Sequence, residues 1–248
     1  MTRFALVASL GLASFVAPAW SQDAAALPTG EALFAKHVQA IGGEEAMKAE
    51  KNRVVRGKIS MMGRSADGLL TTWRVAPNRM YSLVEFPGIA TLETWFDGES
   101  AWLRDSNAGT RKLSGEGLVE IRRSADFLGE ANFRARYSSL TTQEKSTFAD
   151  RPVYAVKATT TEGAERTLYF DAEKGFLIGV KSPGPSADPA NERTMILTDY
   201  KQFGAVTHAT KITQKDTRSE TVTTITDINA NVLTMPNIDP PDEVRKAK

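Results

Sequence analysis

The chain has 248 residues, 41% hydrophobic and 25% charged, which is enough to bury one large β-rich core or two small ones. With 31 basic and 30 acidic residues its formal net charge is +1, so no global field draws it to nucleic acid or to an anionic membrane. It has no cysteine, which excludes disulfides and a lipid-modified cysteine behind a signal.

Residues 1–21 read as an export signal. Arg3 precedes an apolar run from Phe4 to Val16, and Ala19-Trp20-Ser21 supplies the small-x-small pattern that predicts a cut after Ser21. The apolar run is shorter than the ~20 residues a membrane-spanning helix needs. The expected product is a soluble exported protein, periplasmic in a Gram-negative host.

Thr29 is the expected N-cap of a short helix on which Phe34, Val38 and Ile41 share one face, with Leu33 and His37 beside that stripe. Gly42 is expected to end this helix in the left-handed conformation, and Gly42-Gly43 could serve as a chain break or a hinge. Glu44 and Glu45 then open a second short helix, where negative charge suits the helix dipole.

From Arg53 the pattern changes to strands. "VVRGKISMM", "LLTTWRVA", "RMYSLVEF", "IATLETWF" and "SAWLRD" are separated by breaks that include Pro77-Asn78, Pro87-Gly88 and Asp97-Gly98. Asp97-Gly98 is the strongest hairpin signal. Leu118, Ile121, Ala125 and Leu128 recur at helical spacing, so a helix is expected from about Gly117 to Leu128, with Arg122 and Arg123 on its solvated face.

Strands resume with "TTQEKSTFAD", "VYAVKATTT", "ERTLYFDA" and "FLIGVKS". A Pro-rich loop over 182–192 separates them from "RTMILTDYKQF", "VTHATKITQK" and "ETVTTITDINAN". No linker or composition shift divides the chain. The expectation is a mainly β (α+β) single domain over 22–248, with about 11 antiparallel strands and a few short helices.

Alternate positions of a strand face opposite sides. Leu69, Thr71, Trp73 and Val75 carry no charge, whereas the other side of their strand carries Arg74. Met80, Ser82, Val84 and Phe86 oppose a side with Glu85, and Ala90, Leu92, Thr94 and Phe96 oppose a side with Glu93. This predicts a sheet with one dry and one wet side. Leu69, Trp73, Val84, Phe86, Leu92 and Phe96, with Trp102 in the next strand, are the candidate hydrophobic cargo surface. The few helices can cover only part of so many strands, leaving apolar surface for a ligand.

The pieces "FAKHVQAIGGEEAMK", "DGESAWLRD" and "RTLYFDAEKGFLIGVKS", in this order behind an export signal, resemble the outer-membrane lipoprotein-sorting proteins, the LolA-like periplasmic carriers. That resemblance implies a single curved antiparallel sheet forming an open half-barrel, with short helices covering its concave face as a plug or lid. Phe34, Val38 and Ile41 would be the inward side of the lid helix. It also implies a soluble, monomeric periplasmic carrier of lipidated proteins or other hydrophobic cargo, with inner- or outer-membrane proteins as further partners. The alternative role is a periplasmic interaction or envelope-stress-sensing module on the same fold.

Motif chemistry is sparse. There is no HExxH, EF-hand loop, GxSxG, SxxK or Gly-rich phosphate loop, and the two histidines, His37 and His208, lie far apart in sequence. The expectation is a protein with no enzymatic activity, no cofactor and no metal. Protein recovered from a Gram-negative periplasm should have the intact mass of a chain starting at Gln22; a mass retaining residues 1–21 would show that the segment is not cleaved.

Overall fold

The computed structural model describes residues 26–62, 66–184 and 191–247. The expected export signal and the middle of the Pro-rich loop lie outside the described residues. The strands are β1 (Asn52–Met62), β2 (Ala66–Val75), β3 (Arg79–Phe86), β4 (Ala90–Phe96), β5 (Ala101–Asp105), β6 (Gly109–Leu113), β7 (Tyr137–Phe148), β8 (Arg151–Thr160), β9 (Glu165–Asp171), β10 (Leu177–Ser182), β11 (Arg193–Phe203), β12 (Val206–Lys215) and β13 (Glu220–Ala230). The helices are α1 (Gly30–Ala40), α2 (Gly43–Ala49), α3 (Gly115–Ala125), α4 (Phe133–Arg136) and α5 (Asp242–Arg245).

All 13 strands form one sheet in the order β6-β5-β4-β3-β2-β1-β13-β12-β11-β10-β9-β8-β7, and it does not close. Successive strands pair as antiparallel meanders, and β1 joins the two halves through β13. The result is the open half-barrel expected from the sequence, with more strands than the expected 11 or so. The additional β6 carries Arg111 and Lys112 and is largely exposed, so no apolar alternation marks it. β10 and β11 pair on either side of the Pro-rich loop, which is therefore an insertion between neighbours.

Bulges bend the sheet. The register shifts between Arg56 and Gly57 in the β1–β13 pair, where a Cβ on Gly57 would lie 2.5 Å from the Thr224 carbonyl oxygen. Further shifts occur in the β7–β8 and β9–β10 pairs. A bulge increases local twist and bends its strand, which is how so wide a sheet wraps around a concave face.

Because β6 and β7 are opposite edges, the chain between them must cross from one rim to the other. It does so through α3 and α4 over the concave side. The expected helix is shorter at its end than its apolar spacing suggests: α3 stops at Ala125, since Asp126 leaves helical geometry and the Phe127 N–H donates to the Pro77 carbonyl at 3.0 Å.

α1 is capped as expected, with Thr29 Oγ1 accepting from the Ala32 N–H at 3.1 Å. Its Leu33, Phe34, Val38 and the following Ile41 are buried with Phe133, Val156, Leu168, Phe170 and Leu177 in the largest apolar cluster. Phe34 stacks on Phe133 with centroids 4.5 Å apart and meets Phe170 edge-on at 5.5 Å. His37 Nδ1 accepts from the Leu177 N–H at 3.1 Å, and the Ile41 carbonyl accepts from Thr207 N–H at 2.8 Å.

The double glycine is held against the sheet. Gly42 has φ +118°, and a Cβ there would stand 2.4 Å from the Ala205 carbonyl oxygen in the β11–β12 turn. Both the dihedral and the close approach require glycine. Gly42→Ala is expected to cost about 1–3 kcal/mol of stability in urea unfolding monitored by tryptophan fluorescence, and an unchanged midpoint would show that the contact is soft.

Candidate functional site

Under the crossover, between α1–α2 and the C-terminal end of α3, lies a cavity of about 270 Å³. Its floor is the concave side of β2, β1, β13, β12 and β11. Val55, Leu197, Ile212, Ile225 and Ile228 make that floor apolar. Cross-strand pairing places them: Val55 faces Ile228 and Leu197 faces Ile212, and partners in an antiparallel ladder share a side of the sheet. The roof is the segment from Asp126 to Arg136.

Three arginines line this cavity, and each stands in a different environment. Arg53 of β1 is buried and bound to Glu50, with Nε and Nη2 at 3.0 and 2.9 Å from Oε2. Its guanidinium also lies 4.6 Å from the centroid of the Phe127 ring in the roof. Arg136 donates from Nε to Asp126 Oδ2 and from Nη2 to the Arg123 carbonyl, both at 2.9 Å. It fills the space beside Gly129, where a Cβ would lie 1.6 Å from Nη2. These two arginines fasten the roof to the sheet and to α3.

Arg74 of β2 differs. Its Nη2 donates a long bond of 3.4 Å to Ser124 Oγ, and among the described residues its buried Nε has no hydrogen-bond partner and it forms no ion pair. Burial, then the neighbouring Arg53 charge, lowers its pKa to about 10, which still leaves it cationic at neutral pH. His208 of β12 lines the same cavity with a buried Nε2 that also lacks a partner among the described residues. Burial and the Arg53 charge lower the His208 pKa to about 4, so its imidazole is neutral at pH 7. Glu130 in the roof stands 3.8 Å from His37 Nε2. Burial raises its carboxyl, but the His37 side chain, and further off the Arg136 charge, outweigh that and hold it well below the usual range.

The candidate cargo residues read from the sequence do not form one surface. Register puts Trp73 opposite Tyr81, Tyr81 opposite Trp95 and Trp95 opposite Trp102, all on the convex side. There they stack, with Trp73–Tyr81 and Tyr81–Trp95 centroids 5.1 and 5.2 Å apart. Val244 of α5 packs against the Trp95–Trp102 pair. Leu69 lies on that side too, 53% exposed and opposite Glu85. Val84, Phe86, Leu92 and Phe96 lie on the concave side, where Phe96 packs with Met80, Ala101 and Ala125 beneath α3.

The expectation of a single dry side is corrected at β2. Its charge-free positions face out, and its charged position, Arg74, faces into the cavity. Splitting each strand by charge presumes that arginine points to water, and here it does not. The cavity-lining residues Arg53, Arg74, Glu130, Leu197, His208, Ile212, Ile225 and Ile228 were not singled out as a site. The available signal was an arginine within otherwise apolar alternation on both β1 and β2.

A second hollow of about 350 Å³ lies further along the concave side. Glu120, Arg166, Arg193, Gln214, Lys215 and Asp216 dominate its lining, with Val180 and Met195 among the apolar residues present. Arg193 Nη1 there reaches Glu120 Oε1 of α3 at 3.1 Å. Among the described residues, no three histidine or carboxylate side chains come together to hold a metal ion. No described helix is long and apolar enough to cross a membrane.

His208 provides a pH readout of the cavity, with Arg53, Arg74 and Glu130 as its charged neighbours. Its ordinary pKa is 6.5 and its folded pKa about 4, so the unfolded chain binds the proton first as pH falls. Its contribution is intact above pH 6.5 and is lost between pH 6.5 and 4, on the order of 2–3 kcal/mol. Urea unfolding at pH 7 and pH 4.5 should show a smaller acid loss in His208→Gln than in the parent; equal losses would mean that His208 is not protected.

No family model and no curated protein matches the sequence. Solved structures do match the fold. A DUF1329 family protein from Desulfovibrio piger superposes with a TM-score of 0.59 at 12% identity, over 84% of this chain and 96% of that one. A LolA superfamily protein from Nitrosomonas europaea gives 0.57 at 11% identity, over 88% and 97%. A putative outer membrane lipoprotein-sorting protein domain from Vibrio parahaemolyticus gives 0.54 at 11% identity, over 82% and 96%. The fold of this chain is therefore LolA-like: one open antiparallel half-barrel whose concave side is crossed by short helices.

Proposed function

We propose that this protein is a soluble periplasmic carrier of hydrophobic cargo, lipidated proteins or other amphiphiles, exported by residues 1–21 and acting without bond chemistry. The observation that carries this reading is the cavity of about 270 Å³ with a floor of Val55, Leu197, Ile212, Ile225 and Ile228 beneath a segment that covers only part of the concave side. Each methylene moved from water onto that floor contributes about 0.8 kcal/mol, so a short stretch of chain supplies several kcal/mol without a polar contact. The lipoprotein-sorting fold of the Vibrio domain supports the same reading.

The movable part is assigned to α3 rather than to α1 or to the roof, whose Phe127 and Phe133 are buried. Phe34, Val38 and Ile41 are core residues, and α1 is tied to the sheet through His37 and Ile41. In α3 only Ala125 is buried, with Leu118 and Ile121 half-buried, so displacing it exposes little apolar area. A low cost of opening lets bound cargo leave as well as enter.

The test is binding of the fluorescent dye N-phenyl-1-naphthylamine and its displacement by a lipopeptide. Ile212→Glu, on the floor, should weaken dye binding at least tenfold, and Leu69→Glu, on the convex side, should leave it unchanged. Absence of dye binding, or an unaffected Ile212→Glu protein, would overturn the carrier reading. The chain has no native cysteine, so Glu120→Cys with Arg193→Cys can be bridged selectively by a bismaleimide. The bridged protein should take up dye at least tenfold more slowly than the untreated one, and an equal rate would remove α3 as the cover.

A further inference from the structure

The cavity is apolar along its floor and cationic at one end. The positive ends of Arg53 and Arg136 are occupied by Glu50 and Asp126, whereas Arg74 keeps only a long bond to the Ser124 hydroxyl. Glu130 contributes to the field at Arg74 but lies beyond ion-pair reach of it, turned toward His37. Arg74 Nε and His208 Nε2 are therefore two buried nitrogens in one cavity wall with no partner among the described residues. A buried polar nitrogen left unpaired costs about 1–3 kcal/mol, and a guanidinium costs more than an amide. Two such groups at one end of an apolar hollow are the arrangement expected where a ligand completes the hydrogen bonds.

Burial also costs β2 something at this position. A solvated arginine would be free on the convex side, yet the register turns Arg74 inward, beside Arg53 on the neighbouring strand. Two guanidiniums on adjacent, directly paired positions repel each other. Glu50 pairs directly with Arg53, whereas Glu130 and Asp126 favour the Arg74 charge from beyond ion-pair reach. An anion placed against Arg74 would offset both its desolvation and this repulsion.

Size restricts the rest of the ligand. A hollow of about 270 Å³ is of the size that takes a single aliphatic chain. We propose that Arg74 and His208 form a head-group site and that this cavity takes a single-chain amphiphile with an anionic oxyacid head, a fatty carboxylate or an alkyl phosphate monoester. Its chain lies along Leu197, Ile212 and Ile225. Arg74 supplies charge and forked donors, and the neutral His208 imidazole supplies one further hydrogen bond. This inference rests on the carrier reading and names the cargo of the same cavity.

Isothermal titration of the whole mature protein tests it with three C12 ligands: dodecanoate, dodecyl phosphate and dodecanol. The parent protein should bind at least one of the two anions at least tenfold more tightly than dodecanol, and the tighter anion identifies the carboxylate or phosphate source. Arg74→Met keeps the aliphatic stem and should abolish that preference while still binding dodecanol. In the parent, anion binding should also move the His208 imidazole titration upward from about 4 in a proton NMR series, a readout that needs no variant.

Equal affinity for dodecanoate, dodecyl phosphate and dodecanol in the parent would overturn the head-group site and leave the carrier reading standing. No binding of any of the three would overturn both. Inorganic phosphate binding as tightly as dodecyl phosphate would show a plain anion site and overturn the amphiphile. A preference that persists in folded Arg74→Met protein would overturn the role of Arg74.

Discussion

The whole structure follows from one topological constraint: the two free edges of the sheet, β6 and β7, belong to strands consecutive in the chain. A sheet of 13 strands that bends but does not close has a wide concave side whose backbone and side chains need cover. The segment between β6 and β7 must travel from rim to rim, and the direct route passes over that concavity. Covering the core and linking the edges are thus done by the same residues. Because the segment is short against so wide a sheet, it covers the concave side incompletely, and the cavity is what remains.

The two helical covers differ in how firmly they are held. α1 contributes aromatic and aliphatic side chains to a cluster shared with β8, β9 and β10, and its imidazole and backbone bond to the sheet. α3 touches β4 and β5 through few apolar side chains, and its other ties are the Arg136 bond to the Arg123 carbonyl, the long Arg74–Ser124 bond and exposed ion pairs such as Glu120–Arg193. Exposed pairs of this kind contribute little to stability. The burial of large apolar groups, rather than helix length, decides how firmly each cover is held, since both helices have 11 residues.

The arginines of the cavity show how partner geometry sets the role of one chemical group. Arg53 and Arg136 are structural cross-links, each bound to a carboxylate and also to the Phe127 ring of the roof or the Arg123 carbonyl of α3. Arg74 occupies the same cavity without such a partner. On the convex side the aromatic ladder from Trp73 to Trp102 is covered in part by Val244 and flanked by Arg104, whose guanidinium lies 5.0 Å from the Trp95 ring and ion-pairs with Glu93. Large aromatics there fill a second, smaller core on the side of the sheet away from the cavity.

Local signals in the sequence determined the elements: the Thr29 cap, the left-handed Gly42, the strand runs and turns such as Asp97-Gly98 all rest on dihedral and side-chain preferences within a few residues. They also conveyed the open half-barrel, through the order of elements and the resemblance they carry. The sequence left β6 unread, because an exposed edge strand needs no apolar alternation. Only the tertiary structure decided which side of each strand faces the cavity. That depends on register between strands, and a one-residue shift reverses every side chain. Leu69 and Trp73 went to the convex side and Arg74 to the interior for this reason. The site likewise joins residues as distant in sequence as Arg53, Arg74, Glu130 and His208, which only sheet pairing and the crossover bring together.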